Sequence, residues 1–310
     1  MWPRQGDRRS SMLEQKVSFD VEDVEYLRHG DLGLLARLYR PAAVDRGAAV
    51  IEVHGGAWSK FDRTRGRHLH EALAARGIFV MAIDFRQGAD HPHPASVQDI
   101  NYAIRWLKRN SDAFGVDPDR IALSGNSTGG HLAMLTAMRS SRSEYAALML
   151  PGDLSQPDAS VRAVVMLWPV INPLSRYRFA QMKCLDVEPP YWARDIVQCH
   201  DGYWRTEERM AEANPMLILD RGEPVTLPPA LWIRASGDDV HDYRDPDGSF
   251  DGLEAERFVS LYQAAGGRLD LRVFDAPMMF TTVHPTLPES AAALDQIGDF
   301  VLEHTAPPRS

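Results

Sequence analysis

The chain has 310 residues, 44% hydrophobic and 25% charged, the proportions of a globular protein with a sizeable buried core. Its formal net charge of −9 argues against a nucleic-acid partner, since phosphate recognition needs a basic patch. No apolar run approaches a membrane span, and Met1 to Ser11 lacks the apolar core of a secretory signal, so a cytoplasmic protein is expected. Cys184 and Cys199 make no disulfide framework and are expected as free thiols.

Phe19 to Arg28 and Leu32 to Tyr39 read as two strands joined by His29-Gly30-Asp31, a hairpin opening. Ala48 to Val53 is a nearly continuous apolar run, the pattern of a strand buried on both faces. Arg65 to Arg76 reads as a helix closed by Gly77. Ile78 to Phe85 is the next buried strand. In Val97 to Asn110, Val97, Ile100, Ile104 and Leu107 recur at helical spacing. Arg120 to Ser124 is a strand and Gly130 to Arg139 a helix. Val161 to Val170 and Leu231 to Ser236 are further strands, followed by a helix over Leu253 to Ala265, a strand over Leu269 to Phe274 and a helix over Ser290 to Leu302.

This alternation implies an α/β fold, a mostly parallel central sheet flanked by helices, with the opening hairpin as an antiparallel edge. About sixty residues separate the strands at Val161 and Leu231, too many for a plain connection. They are rich in aromatics (Tyr177, Phe179, Tyr191, Trp192, Tyr203, Trp204). The expectation is a single domain over 1–310 with a small cap, at about 172–226, over the carboxyl edge of the sheet, where sites in open α/β sheets lie.

Gly125-Asn126-Ser127-Thr128-Gly129 stands between the strand ending at Ser124 and the helix from Gly130. That is the strand–turn–helix context of a G-x-S-x-G nucleophile elbow. The glycines on either side of Ser127 admit the tight backbone that exposes its hydroxyl. Upstream, His54-Gly55-Gly56-Ala57-Trp58 follows a buried strand, and its glycines let amides turn toward one spot, as in an oxyanion hole. The expected donors are the amides of Gly56, Ala57 and Thr128. His54 is read as structural, as are His91 and His93.

A serine needs a base, and the base a carboxylate to fix its tautomer. In this strand order the acid follows the strand at Leu231, in Gly237-Asp238-Asp239-Val240-His241-Asp242. Asp239 is favoured, with Asp238 and Asp242 as alternatives. The base is expected after the last strand, where His284 alone precedes the final helix; His241 is held in reserve. Met278, Met279, Phe280 and Val283 are candidates for an apolar acyl pocket. No metal-ligand cluster and no phosphate-binding glycine pattern is present, so neither metal nor cofactor is expected.

Together with His93-Pro94-Ala95-Ser96-Val97-Gln98-Asp99-Ile100, Arg105-Trp106-Leu107 and Phe114 to Ala122, these motifs resemble the α/β-hydrolase superfamily. The resemblance is to esterases of the hormone-sensitive-lipase-like and feruloyl-esterase-like (kynurenine-formamidase-like) groups. It implies a cofactor-free serine hydrolase of small or medium, including aromatic, esters. Its triad would be Ser127, Asp239 and His284 and its oxyanion amides Gly56, Ala57 and Thr128; Trp58, Met279 and Phe280 are expected, from the residues themselves, to contact substrate. Thr128 replaces the usual alanine, the loop reads Gly-Gly-Ala-Trp, Pro285 follows His284, and no Pro-Leu follows the acid. An amidase or arylformamidase on the same triad is the alternative, and a non-catalytic binding protein the rival from another class. A homodimer through an edge strand or the cap is compatible with the sequence.

Overall fold

The computed structural model describes residues 17–42, 47–152, 156–248 and 250–307; the stretch Met1 to Ser11 lies outside them. The opening hairpin is β1 (Phe19–His29) and β2 (Leu32–Pro41). Then come β3 (Gly47–Val53), α1 (Arg67–Ala74), β4 (Phe79–Ile83), α2 (Ala95–Arg109), α3 (Ser111–Phe114), β5 (Val116–Asn126) and α4 (Thr128–Met138). After β6 (Ala163–Leu167) the chain forms α5 (Pro173–Lys183), α6 (Tyr191–Trp204), α7 (Glu207–Glu212) and α8 (Pro215–Asp220). It closes with β7 (Ala230–Ala235), α9 (Glu254–Ala264), β8 (Leu269–Phe274), α10 (Phe280–Val283) and α11 (Pro288–His304).

The eight strands form one sheet in the order β1-β2-β4-β3-β5-β6-β7-β8. β1 pairs antiparallel with β2, and β2 with β4; from β4 onward every pairing is parallel. Period-two alternation sorts each buried strand onto two cores. Ala49, Ile51 and Val53 of β3 join one, with Ile100 and Ile104 of α2, Leu132 of α4 and Phe258 of α9. Val50 joins the other, with Leu69 and Leu73 of α1 and Ile297 and Val301 of α11. A strand clamped this way reads as an unbroken apolar run, which is why β3, β4 and β6 were visible in the sequence.

Most element boundaries shift by a few residues from the sequence reading, and two of these shifts have a clear local cause. β5 starts at Val116, before the apolar run, because Gly47 already pairs there; its half-buried Asp117, Pro118 and Arg120 lie at the amino edge of the sheet. β6 stops at Leu167 although apolar residues continue, because Trp168 takes φ +37 and turns the chain off the sheet. Cys184 and Cys199 are free thiols. Among the described residues no helix is long and apolar enough to cross a membrane.

Candidate active site

β3 and β5 are neighbours, so their carboxyl ends deliver two turns side by side. After β5, Ser127 sits at φ +49, ψ −120, a conformation that costs a side-chain-bearing residue on the order of 1–3 kcal/mol. Close packing pins it there. A Cβ on Gly125 would lie 2.4 Å from the Gly129 carbonyl carbon, and one on Gly129 only 2.0 Å from the Val53 oxygen. The Ser127 amide donates to the Leu167 carbonyl at 2.9 Å. The serine therefore stands at the tip of the sheet, at the amino end of α4.

After β3, Gly56 takes φ +115, and Ala57, Trp58 and Phe61 also have positive φ. A Cβ on Gly56 would fall 2.2 Å from the Lys60 carbonyl oxygen, so only glycine fits. The loop is held by Ser59 and Lys60 amides donating to the Gly56 carbonyl at 3.0 and 2.9 Å. The His54 Nδ1–H donates to the Gly55 carbonyl at 2.8 Å while its ring stacks on Phe85. Burial pushes the His54 pKa down, which suits a neutral packing residue. Thr128 Oγ1 accepts the Trp58 amide at 3.3 Å, tying this loop to the serine turn. The amides of Gly56, Ala57 and Thr128 donate to no acceptor among the described residues, and Thr128 opens α4, where first-turn N–H groups have no intrahelical partner.

The loop after β7 supplies the charge. Asp238 is 2% exposed, and its Oδ1 accepts the amides of Val240 at 3.1 Å and His241 at 3.0 Å. This local turn folds the chain back on itself, so that His241 Nδ1 donates to Asp238 Oδ2 at 2.8 Å. With Nδ1 carrying that proton, Nε2 is the acceptor, and it stands 3.0 Å from Ser127 Oγ. Burial works against ionisation of Asp238, but the His241 ring and the two amides outweigh it and hold its pKa below the ordinary carboxyl value.

The structure therefore places several expected residues differently. Asp239 is exposed, and the carboxylate that the His241 ring meets is that of Asp238. Asp242 pairs with Arg234. His284 is exposed at the carboxyl end of α10 and has no bond to Ser127. The reason is local: Met279 takes φ +55 and starts that short helix, so the chain has passed the site before it reaches the histidine. What the β8 loop brings to the cavity is Met278, Met279 and Thr282. Trp58 is 1% exposed, packed against His131, His200, Tyr203 and Trp204, with its indole N–H donated to His131 Nδ1. Phe280 is wholly buried between Trp168 and Phe274. Both are core residues; of the three expected substrate contacts Met279 alone borders the cavity.

That cavity, about 240 Å³, opens over Ser127 and His241. Gly56, Ala57 and Trp168 line it from the sheet side, and Tyr191, Trp192 and Ile196 from α6. A larger hollow of about 730 Å³ between α1 and α11 contains no nucleophile–base pair.

Known proteins share this architecture. An esterase of Pyrobaculum calidifontis superposes with a TM-score of 0.70 at 25% identity, covering 94% of this chain and 87% of that one. Esterase LipC of Mycobacterium tuberculosis is 37% identical over 196 residues, 62% of this chain and 44% of LipC. The carboxylic ester hydrolase LipN of the same organism is 29% identical over 274 residues, 84% of this chain and 64% of LipN. The chain thus spans less than two thirds of the length of these curated relatives. The BD-FAE family matches residues 37–231, and with its eight-stranded sheet of α/β-hydrolase type the chain belongs to that family.

Proposed function

We propose that the protein is a serine hydrolase of carboxylic esters, with Ser127 as nucleophile, His241 as general base and Asp238 as the carboxylate that orients it. The carrying observation is the continuous relay from Asp238 Oδ2 through the His241 ring to Ser127 Oγ, at 2.8 and 3.0 Å. His241 Nε2 takes the serine proton as Oγ attacks the ester carbonyl. The oxyanion is met by the amides of Gly56, Ala57 and Thr128, donors already held by the turn after β3 and by the start of α4, so they need no reorganisation. The imidazolium then protonates the departing alcohol, and a water activated by the same nitrogen cleaves the acyl-enzyme. Ester-hydrolase relatives support the chemistry.

The helical segment from α5 to α8 is read as a cap, since α6 walls the cavity opposite the sheet. At about 240 Å³ the cavity is smaller than the roughly 300–1,000 Å³ usual for ligand sites, which favours short acyl groups, and Trp168, Tyr191 and Trp192 suit an aromatic or branched portion. The test is hydrolysis of 4-nitrophenyl esters from acetate to dodecanoate, with matching anilides. Turnover falling off beyond medium chains and lost in Ser127→Ala is expected. Anilide cleavage outrunning ester cleavage would move the reading to an amidase, and folded protein inactive on every compound would overturn it.

A further inference from the structure

The cavity wall includes three charged side chains, Lys60, Arg65 and Asp195. Two of them neutralise each other: Lys60 Nζ lies 2.5 and 2.6 Å from the carboxylate oxygens of Asp195, joining the loop after β3 to α6. Arg65 is left over. Among the described residues no carboxylate pairs with it, and its guanidinium lies 4.5 Å over the Phe61 ring. Phe61 itself is 51% exposed at the cavity wall and sits at φ +70, a conformation rare for a bulky residue. Stacking a cation on an exposed ring gains less than such a backbone costs, so the Phe61–Arg65 pair is not accounted for by stability.

We infer that Arg65 is a specificity-determining residue: the preferred esters bear a carboxylate, on the acyl or the alcohol portion, that pairs with its guanidinium above Phe61. The inference rests on the ester-hydrolase reading and narrows its substrate class. A guanidinium has a fork of donors matched to a carboxylate, and no carboxylate among the described residues takes up that of Arg65, which lies over the Phe61 ring. The remaining wall, Trp168, Trp192, Val240 and Met279, is apolar and suits the uncharged part of the molecule. The net charge of −9 repels anions at long range, so a preference for an anionic ester has to arise from a local cation.

Two matched pairs of esters test this. Monoethyl glutarate against ethyl pentanoate places the charge on the acyl side, and 4-acetoxybutanoate against butyl acetate places it on the alcohol side. In one pair the wild type should favour the anionic ester in kcat/KM by about tenfold. Arg65→Met should bring that ratio to about one, Arg65→Lys should keep part of it, and 0.5 M salt should reduce it because the site is open to solvent. The pair that responds identifies the side bearing the carboxylate. A wild-type ratio at or below one in both pairs, or a ratio unchanged in Arg65→Met, would overturn the inference while leaving ester hydrolysis standing. Folded enzyme inactive on all four esters while it still turns over 4-nitrophenyl esters would overturn the inference alone, and inactivity on those as well would overturn the ester reading.

Discussion

The loops that follow β7 and β8 leave neighbouring parallel strands at the same edge of the sheet, and both reach the cavity. They arrive with opposite chemistry. The β7 loop closes within four residues: Asp238 accepts two amides of its own loop and the ring of His241. The β8 loop has no such closure; it sends Met278 and Met279 inward and carries His284 out to the surface beyond α10. The side chain that reaches the serine is decided by where each loop folds back, and a hydrogen-bonded Asp-x-x-His turn folds back sooner than an apolar segment that must first bury Phe280.

The sharpest way to break this comparison is to exchange the histidines' fates. His241→Ala should lower kcat by about 10,000-fold or more, the scale of removing a triad base, while His284→Ala should stay within about twofold, both measured on the best 4-nitrophenyl ester. The opposite ranking would mean that the β8 loop rearranges to present His284 when substrate binds. Next in size is the acid. Asp238→Asn should cost about 1,000- to 10,000-fold in kcat, because an amide at that place no longer selects the tautomer that leaves Nε2 free. Asp239→Asn changes an exposed carboxylate and should be near neutral. Equal losses from the two substitutions would show that the loop, rather than one carboxylate, does the orienting.

Much of this was legible in the sequence. The buried strands announced themselves as apolar runs, and Gly125, Ser127 and Gly129 fell where the start of α4 packs against the end of β3, with room for no side chain at Gly129. The histidine that meets Ser127 in the structure was not legible in the same way. Strand order assigns the histidine to the loop after β8, and nothing in spacing shows that Met279 would turn the chain early. The available signal was the interval between Asp238 and His241: an aspartate binding amides two and three residues ahead makes a turn, and a ring placed there reaches back to the same carboxylate. Trp58 was misplaced for a different reason. An aromatic beside an oxyanion loop looks like a substrate contact, but its indole N–H finds a buried acceptor in His131, whose pKa burial pushes down to about 4, and its ring is enclosed by four others.

The smallest expected effect concerns what holds the β7 loop in place. Tyr243 follows the His241 turn; its hydroxyl donates to the Asn172 carbonyl at 3.3 Å, and its own carbonyl accepts the Glu254 amide at 3.1 Å. Asn172 Nδ2 in turn donates to Glu254 Oε2 at 2.8 Å. Glu254 is 4% exposed, and burial, aided by the charge of Asp245, pushes its pKa from 4.5 up to about 7 against the opposing Asn172 bond. Between pH 4.5 and 7 the folded chain keeps a proton there that the unfolded chain has lost, so this residue makes stability fall as pH rises through that window and then level off. A displacement of that size corresponds to roughly 3 kcal/mol. Glu254→Gln keeps the acceptor for Asn172 and removes the ionisation, so it should unfold at a higher urea concentration than wild type at pH 8 and at a similar one at pH 4.5, with kcat within about twofold at either pH. A variant less stable than wild type at pH 8 would mean that the ionised carboxylate is what secures the loop, and the contrast with the β8 loop would then rest on charge and not on the amide network.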